Sequence, residues 1–319
     1  MQRIKSTKIG VQIFFIVCDV ILIMLLSLLF YLTRPVTTTS VVYVPSGTIG
    51  QIITYLEQRQ FHLSSTIDKY VVALLGWPQS GWIDMGTTRL SRADFYYKLT
   101  TAKAAMVPLT LIPGETTEMF FEQVARDFGL SKARLQEAYA GFTPYPEGVL
   151  SPETYHVPMG IGERHLVFYL VSLSKASHEA LAQKIFGEYN ERRWYRYVII
   201  ASIIQKEAGS VKEMPLVSSV IYNRLKKGMR LQMDGTLNYG PYSNTKVTPQ
   251  RIREDDSPYN TYKHAGLPPH PVATVSKEAL RAAIFPKETE YLYFVRTASG
   301  KHTFTKTYAE HQRAMNQGR

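Results

Sequence analysis

The chain has a single cysteine, Cys18, in 319 residues, and it lies inside the most apolar stretch. Neither an intrachain disulfide nor a cysteine-ligated metal site is available, so fold stability has to come from packing. Acidic residues are scarce beside basic ones, 26 Asp and Glu against 37 Lys and Arg, which leaves a formal net charge of +11. That surplus points to anionic surroundings, for which nucleic acid, acidic lipid headgroups and acidic wall polymer are the candidates. The eight histidines include no His-Glu-x-x-His segment, which argues against a zinc peptidase. A Gly-x-Ser-x-Gly elbow is missing as well, and with it the usual signature of a serine hydrolase. No cofactor and no metal is indicated. Hydrophobic residues make up 45% of the chain, too few for a polytopic membrane protein.

One long apolar run is present. Val11 to Leu32 reads "VQIFFIVCDVILIMLLSLLFYL", about 22 residues, the length a helix needs to cross roughly 30 Å of hydrocarbon. Asp19 near its middle costs about 3 kcal/mol, and some sixteen Leu, Ile, Val and Phe residues at roughly 0.3 to 0.6 kcal/mol each outweigh it. Arg3, Lys5 and Lys8 precede the run and Arg34 follows it closely, so the positive-inside rule keeps the N-terminus cytoplasmic and exports everything after residue 33. "YLTRPVTTTS" offers no small-x-small cleavage site, which favours an uncleaved anchor over a signal peptide. Export makes nucleic acid a poor partner and leaves the membrane surface or anionic wall.

After the linker, "VVYVPSGTIGQIITYLEQRQ" gives an alternating apolar run, a turn at Pro45-Ser46-Gly47 and a helical pattern of Ile49, Ile52, Ile53 and Leu56, so it reads as strand, turn, helix. A related order returns near residue 107 in "VPLTLIPGETTEMFFEQVARDFGLSKARLQEAY", with Pro113-Gly114 and a Thr-capped helix start. The pair forms a weak internal repeat, and the second copy is similar to a LysM module, a small glycan-binding fold. Common turn chemistry produces the same pattern. "GFTPYPEGVLSPETYHVP" (141–158) reads as a loop or boundary. Helices are expected over about 163–188, 193–208 and 215–227, with Pro215 in a first turn and Gly228 as a stop. "YLYFVRTASGKHTFTKTY" alternates on both sides of Ser299-Gly300, a β-hairpin signature, and "AEHQRAM" gives a last short helix.

"IIASIIQKEAG" (199–209) ends an aliphatic run with a carboxylate. On a helix Ile200, Ile203, Ile204 and Glu207 share one face, while Gln205 and Lys206 are expected to turn toward solvent. A carboxylate partly buried beside isoleucines loses hydration and its pKa rises, which makes a general acid near neutral pH. The alternative is a solvated Glu207 in a frayed last turn before Gly209. Downstream, "LQMDGTLNYG" (231–240) and "DSPYNTYKHAGLPPHP" (256–271) are loop-like and dense in Asn, Tyr, Gln and Gly, residue types that line sugar clefts.

"ASIIQKEAG", "VSSVIYNRLKKGMRLQMDGTLNYG", "DSPYNTYKHAGLPPHPV", "EALRAAIFPKETEYLYFV" and "GKHTFTKTYAEHQ" stand in order and together closely resemble the endolytic murein transglycosylase family, also called YceG-like. The resemblance is strong over about 190–313 and weaker through "EGVLSPETY" (147–155) and the LysM-like region. It implies that Glu207 is the catalytic acid, at the second Glu of the family's Glu-Lys-Glu segment. Gln205 replaces the first Glu, Gly235 stands where a Pro is common, and Val275-Ser276 replace the usual Pro-Gly. The resemblance further implies cleavage between MurNAc and GlcNAc with the muramic 6-hydroxyl as nucleophile, giving 1,6-anhydro ends. Nascent peptidoglycan strands are then the substrate, and peptidoglycan synthases (penicillin-binding proteins) are expected neighbours at the inner membrane. Asn223, Gln232, Asp234, Asn260 and Tyr262 are candidate substrate contacts, Asp234 alternatively a loop-structuring residue or the second carboxylate of a muramidase. A non-catalytic wall-binding scaffold is the remaining alternative.

The expected fold is α+β: an N-terminal transmembrane helix, small LysM-like α/β subdomains and a C-terminal catalytic domain of helices and a β-hairpin. The expected divisions are 1–10 cytoplasmic, 11–32 transmembrane, 33–40 linker, 41–140 LysM-like and 141–319 catalytic.

Overall fold

The structure is a computed structural model that describes residues 2–59, 61–104, 106–297 and 300–317, with side chains described from Gln12 onward. Arg3, Lys5, Lys8 and the first residue of the expected span, Val11, therefore have side chains outside the described residues, as does Ser299 of the expected hairpin turn. The fold is mixed α and β. It separates into two compact units, residues 1–107 with 157–161, and residues 108–156 with 162–319.

The first unit begins with helix α1 (Gln2–Thr33), whose Gln12–Thr33 segment is long and apolar enough to cross a membrane and has no residue buried in the protein. Strands β1 (Pro35–Thr37) and β2 (Val41–Val44), helices α2 (Ile49–Glu57) and α3 (Asp68–Leu75), strands β3 (Gly81–Asp84) and β4 (Arg89–Ser91), and helix α4 (Arg92–Thr101) follow. The Pro45-Ser46-Gly47 turn delivers the chain to a capping box: Thr48 Oγ1 accepts from Gln51 N, and the Gln51 side chain accepts from Thr48 N. Two otherwise orphaned groups at the start of α2 are thereby satisfied. α2 buries Ile52, Ile53 and Leu56 against Val42, Val44, Ile83, Phe95 and Leu99. Strand β2 pairs antiparallel with β3, Val41 opposite Asp84 and Val44 opposite Gly81, and β1 pairs antiparallel with β4. α3, β3, β4 and α4 had no counterpart in the reading of the sequence.

One buried ion pair organises this unit. Asp68 is fully buried, and its carboxylate accepts from Arg92 Nη1 at 2.8 Å, Ser64 N at 2.7 Å and Tyr31 Oη at 2.5 Å. Arg92 also donates to the Tyr31 hydroxyl, the Tyr96 hydroxyl and the His62 carbonyl. Three donors to the carboxylate and the bonds from both terminal guanidinium nitrogens offset the cost of burying the pair, although Arg92 Nε is buried without a hydrogen-bond partner.

The second unit comprises most of strand β5 (Met106–Thr110), then α5 (Thr117–Phe128), α6 (Lys132–Phe142), strand β6 (Thr154–Pro158), α7 (Glu163–Phe186), α8 (Glu191–Glu207), α9 (Met214–Lys226), α10 (Pro249–Glu254), α11 (Lys277–Ile284), the hairpin β7 (Tyr293–Arg296) and β8 (His302–Thr305), and α12 (Tyr308–Gln317). β5 pairs with β6, so the order strand, helix, helix, strand occurs twice along the chain, once as β2-α2-α3-β3 and once as β5-α5-α6-β6. The compact units divide at 107/108 rather than at the 140/141 division expected from the sequence; residues 108–140 group with the C-terminal unit because α5 and α6 pack with α7 and the segment after α9. α9 begins with Pro215 in its first turn, and Gly228 follows its end at φ +66°.

The core of this unit is built around α8. Its residues Val198, Ile200, Ala201, Ile203 and Ile204 pack against Val217, Val220 and Ile221 of α9 and Ala279, Leu280 and Ala283 of α11. Ser202, buried on the same helix, accepts from Val272 N at 3.0 Å. At Gly148 (φ +80°) a Cβ would stand 2.5 Å from Pro271 Cγ and 2.9 Å from Val198 Cγ1, so the loop before β6 closes on α8 only without a side chain there.

Replacing Asp68 by Ala is expected to destabilise the first unit by about 3 to 5 kcal/mol, because it leaves the Arg92 guanidinium buried and unpaired. Thermal unfolding of Asp68→Ala beside the double variant Asp68→Ala/Arg92→Met checks this. The double variant is expected to recover much of the loss.

Candidate active site

Glu207 is the last residue of α8. The helix stops there because Ala208 is extended (φ −74°, ψ 128°) and Gly209 N turns away to donate to Glu213 Oε2 at 3.1 Å. Seven consecutive residues before it, Val198 to Ile204, are buried, so the carboxyl emerges from a helix shielded on all sides rather than on one face. Burial pushes the Glu207 pKa from its ordinary 4.5 up to about 7; the Gly235 N–H and the Arg224 guanidinium pull it down, and the Asp234 charge adds to the rise. The negative end of the α8 dipole acts in the same sense as burial.

The closest partner is the backbone of a 3-10 turn, Asp234–Leu237, that packs on α8. Gly235 N donates to Glu207 Oε1 at 2.6 Å, a short, charge-assisted contact when the carboxyl is ionised. A Cβ at 235 would meet Lys206 Cβ at 2.6 Å and Glu207 Oε1 at 2.9 Å. Glycine therefore supplies both the room and the donor. A proline, common at this position in the resembling family, has no N–H to give.

Three of the five expected contact residues gather around this turn. Asp234 is exposed, and its Oδ1 accepts from the Tyr262 hydroxyl at 2.6 Å. Gln232 is exposed and adopts φ +49°, in the left-handed region, with its N–H donating to the Thr261 carbonyl. Non-glycine residues held there are concentrated at functional sites. The other two are engaged elsewhere. Asn223 spends its amide on the Thr289 and Tyr291 carbonyls (2.8 and 3.0 Å), tying α9 to the segment that leads into β7. Asn260 is fully buried, donates to the Ile252 and Asp255 carbonyls and accepts from Tyr262 N, so it braces the loop that carries Tyr262.

Gln205 and Lys206 do not turn to solvent as helical spacing suggested. Gln205 Oε1 accepts from Ser276 N at 3.2 Å, and Lys206 Nζ donates to the carbonyl and hydroxyl of Ser243 at 2.9 and 3.0 Å. Both are half-buried because neighbouring segments cover α8 on the side that spacing had left open.

Two buried charged groups of this unit went unread in the sequence, one beside Glu207 and one in a separate cavity. Arg224 is buried and donates to the carbonyls of Leu292 (2.7 Å), Leu231 (2.6 Å) and Arg230 (3.2 Å). Its position three and four residues after Ile221 and Val220, on the buried face of α9, was the available signal. Glu147 is buried, with its pKa raised by burial to about 7 against donation from Thr117 N and Oγ1 and Gly148 N at 2.7, 2.7 and 2.9 Å. It forms part of a cavity of about 320 Å³ whose lining includes Tyr239, Gly240 and Tyr259; Glu207 is not among the lining residues. Tyr239 and Tyr259 stack at 4.4 Å with 14° between their planes. Among the described residues no group of three or more His, Cys, Asp or Glu is placed to hold a metal ion.

A profile of the YceG-like family matches residues 42–317, most of the chain and all of this site. The chain belongs to the YceG-like family. A crystal structure of a yceG-like protein from Listeria monocytogenes superposes with a TM-score of 0.57 at 26% identity, covering 86% of this chain and 97% of that one. Among curated relatives, an endolytic murein transglycosylase of Bacillus subtilis (strain 168) is 36% identical over 169 residues, 53% of this chain and 46% of the relative. An endolytic murein transglycosylase of Streptococcus pneumoniae (serotype 2) is 33% identical over 175 residues, 52% of this chain and 31% of the relative. The matched part of this YceG-like chain thus spans less than half the length of either curated relative.

Two outcomes are expected at this site. Gly235→Ala should lower kcat by ten-fold or more with little change in KM, since the new methyl displaces the carboxyl, and steady-state kinetics on the folded variant measure it. Glu207 binds its proton more tightly in the folded chain (about 7) than at its ordinary 4.5. Between those values the native state holds more protons, so stability falls as pH rises from about 4.5 to about 7 and the full cost persists above. Glu207→Gln should therefore melt higher than wild type at pH 8, by on the order of 1 to 3 kcal/mol, with the gap closing near pH 4.

Proposed function

We propose that this chain is a membrane-anchored lytic transglycosylase of peptidoglycan and that Glu207 is its acid and base. The observation that carries the reading is a desolvated carboxyl, pKa about 7, held by one backbone N–H at 2.6 Å in a chain of the YceG-like family. Near neutral pH such a group is divided between its two forms, which suits it to give a proton and take one back in a single turnover.

In the proposed reaction protonated Glu207 delivers its proton to the glycosidic oxygen between MurNAc and GlcNAc. The C1–O bond breaks and GlcNAc leaves with a free 4-hydroxyl. The carboxylate, now ionised and stabilised by Gly235 N–H and Arg224, accepts the proton of the muramic 6-hydroxyl as that oxygen bonds to C1. A 1,6-anhydro end forms, Glu207 is protonated again and no water is consumed. A water-dependent glycosidase needs a second carboxylate about 5 to 9.5 Å away. Asp234 adds to the rise that burial gives the Glu207 pKa, and it is exposed with one of its two oxygens accepting from the Tyr262 hydroxyl. Asp234 and Tyr262 are assigned to orienting substrate, together with Gln232. Asn223 and Asn260 act one step back, as braces. The stacked Tyr239–Tyr259 pair offers an aromatic surface for a sugar ring further along the strand.

The repeated strand-helix-helix-strand order supports a LysM-like reading of both segments, β2 to β3 and β5 to β6. The apolar length of α1 supports a single-pass anchor. The basic residues before it support a cytoplasmic N-terminus, with the rest of the chain outside the inner membrane beside the synthases that supply nascent strands.

Incubation of the full chain with peptidoglycan, followed by mass spectrometry of the released ends, tests the reading. Anhydro-MurNAc ends are expected from wild type and none from Glu207→Gln, while reducing MurNAc ends would replace the reading with a muramidase. Binding without cleavage in both proteins would replace it with a scaffold. The rate is expected to fall as pH rises through about 7, where the acid form is lost. Asp234→Asn should keep the anhydro product and move that fall to lower pH, because the charge that holds the Glu207 proton is gone; complete loss of turnover would instead assign Asp234 to the chemistry.

A further inference from the structure

Helix α3 is apolar on two faces. Val72 faces the core of the first unit, fully buried, together with the Asp68 carboxylate. On the outside, Tyr70 (66% exposed) and Leu74 (84%) stand four residues apart on one face of α3, with Ile67 (51%) at its N-cap and Trp77 (70%) just past the Gly76 that ends it. Apolar surface of this extent marks a contact site rather than an ordinary solvated face.

The position of α3 in the unit says what these residues meet. Asp68, the first residue of α3, accepts the Tyr31 hydroxyl at 2.5 Å, and Tyr31 lies two residues before the end of α1 at Thr33. Arg92 closes the joint, donating to both groups with its guanidinium 4.3 Å from the centre of the Tyr31 ring. The beginning of α3 is thus fastened to the end of the apolar segment Gln12–Thr33, at the level where a spanning helix leaves the hydrocarbon. From Asp68 to Leu74 the helix advances only about 9 Å at 1.5 Å per residue, comparable to the depth of the headgroup layer. The chemistry fits that layer. Tyr and Trp favour the membrane–water interface, aliphatic neighbours reach the acyl chains, and basic residues meet acidic headgroups. Lys69, with its Nζ 5.0 Å from the Tyr70 ring, and Arg34, just past α1, supply the positive charge.

We propose that α3 is a lipid-docking helix: its exposed apolar residues Tyr70 and Leu74, with Ile67 and Trp77 at its two ends, lie in the headgroup region of the bilayer that α1 spans and hold the first unit on the membrane surface. The proposal rests on α1 being a spanning helix, and the experiment reads that separately. It also differs from a flexible tether, since the Tyr31–Asp68–Arg92 joint leaves no free linker between the span and α3.

The test uses the full chain reconstituted in phosphatidylglycerol/phosphatidylethanolamine vesicles with and without brominated acyl chains. Of the three tryptophans, Trp82 and Trp194 are buried and Trp77 is not, so quenching by bromolipid reports chiefly on Trp77. The single cysteine, Cys18, lies within α1, and a fluorophore on it reports insertion of α1. Expected is strong quenching of the Cys18 probe together with a loss of tryptophan emission that disappears in Trp77→Phe. Leu74→Ser, at a position too exposed to carry the fold, should reduce the Trp77 quenching and leave the Cys18 signal unchanged. A quenched Cys18 probe with wild-type tryptophan emission that brominated lipid leaves unchanged would overturn the docking and reassign the exposed apolar residues to a protein contact, either a second copy or another chain. An unquenched Cys18 probe would overturn the spanning helix and the docking with it.

Discussion

The enclosure of α8 is the constraint on which the second unit turns. With Val198 to Ile204 removed from water on every side, the helix cannot fray from its C-terminal end without exposing core, and so Glu207 is held where the core stops. A carboxylate in that place has lost part of its hydration, and its charged form is disfavoured until specific groups restore it. The structure provides two, the Gly235 N–H and the Arg224 guanidinium, and opposes them with Asp234. The resulting balance near neutrality is a property of packing around a helix end.

The places where this chain departs from the pattern of its family are not scattered in space. Gln205, in place of the usual first Glu, accepts from the backbone of Ser276, in place of the usual Gly; Ser276 in turn caps α11 through its hydroxyl. A neutral amide serves this contact without adding another charge to the covered helix end two residues from Glu207. Gly235, in place of the common Pro, touches Lys206 and Glu207 and donates to the latter. The departures form two contacts on the flanks of one helix end, so a change at either flank alters how the acid is held while leaving the acid itself in place.

Polar burial does different work in the two units. In the first, the Asp68 carboxylate takes three donors, among them Arg92 and Tyr31, and serves to join α1, α3 and α4. In the second, Glu147 is similarly saturated by three donors and locks the start of α5, whereas Glu207 has one short partner and keeps an oxygen free of any described hydrogen bond. Saturation separates a buried carboxyl that builds from one that can react.

The sequence by itself determined the elements whose signals are local. The length and composition of Gln12–Thr33, the capping box at Thr48, Pro215 and Gly228 at the ends of α9, and the alternation around residue 300 are all set by neighbours within a few residues. The isoleucine periodicity likewise placed Glu207 at the end of a core helix. Only the tertiary structure decided what surrounds that residue. Helical spacing counts one face, but α9, α11 and the turn at Asp234–Leu237 arrive from distant parts of the chain and cover the others, which is why Gln205 and Lys206 are engaged rather than solvated. For the same reason Asn223 and Asn260, indistinguishable in sequence from sugar ligands, are engaged in hydrogen bonds within the fold, Arg224 comes to Glu207 unannounced and Glu147 lines a separate cavity: the partners of a polar side chain are fixed by packing across the chain, and no local pattern encodes them.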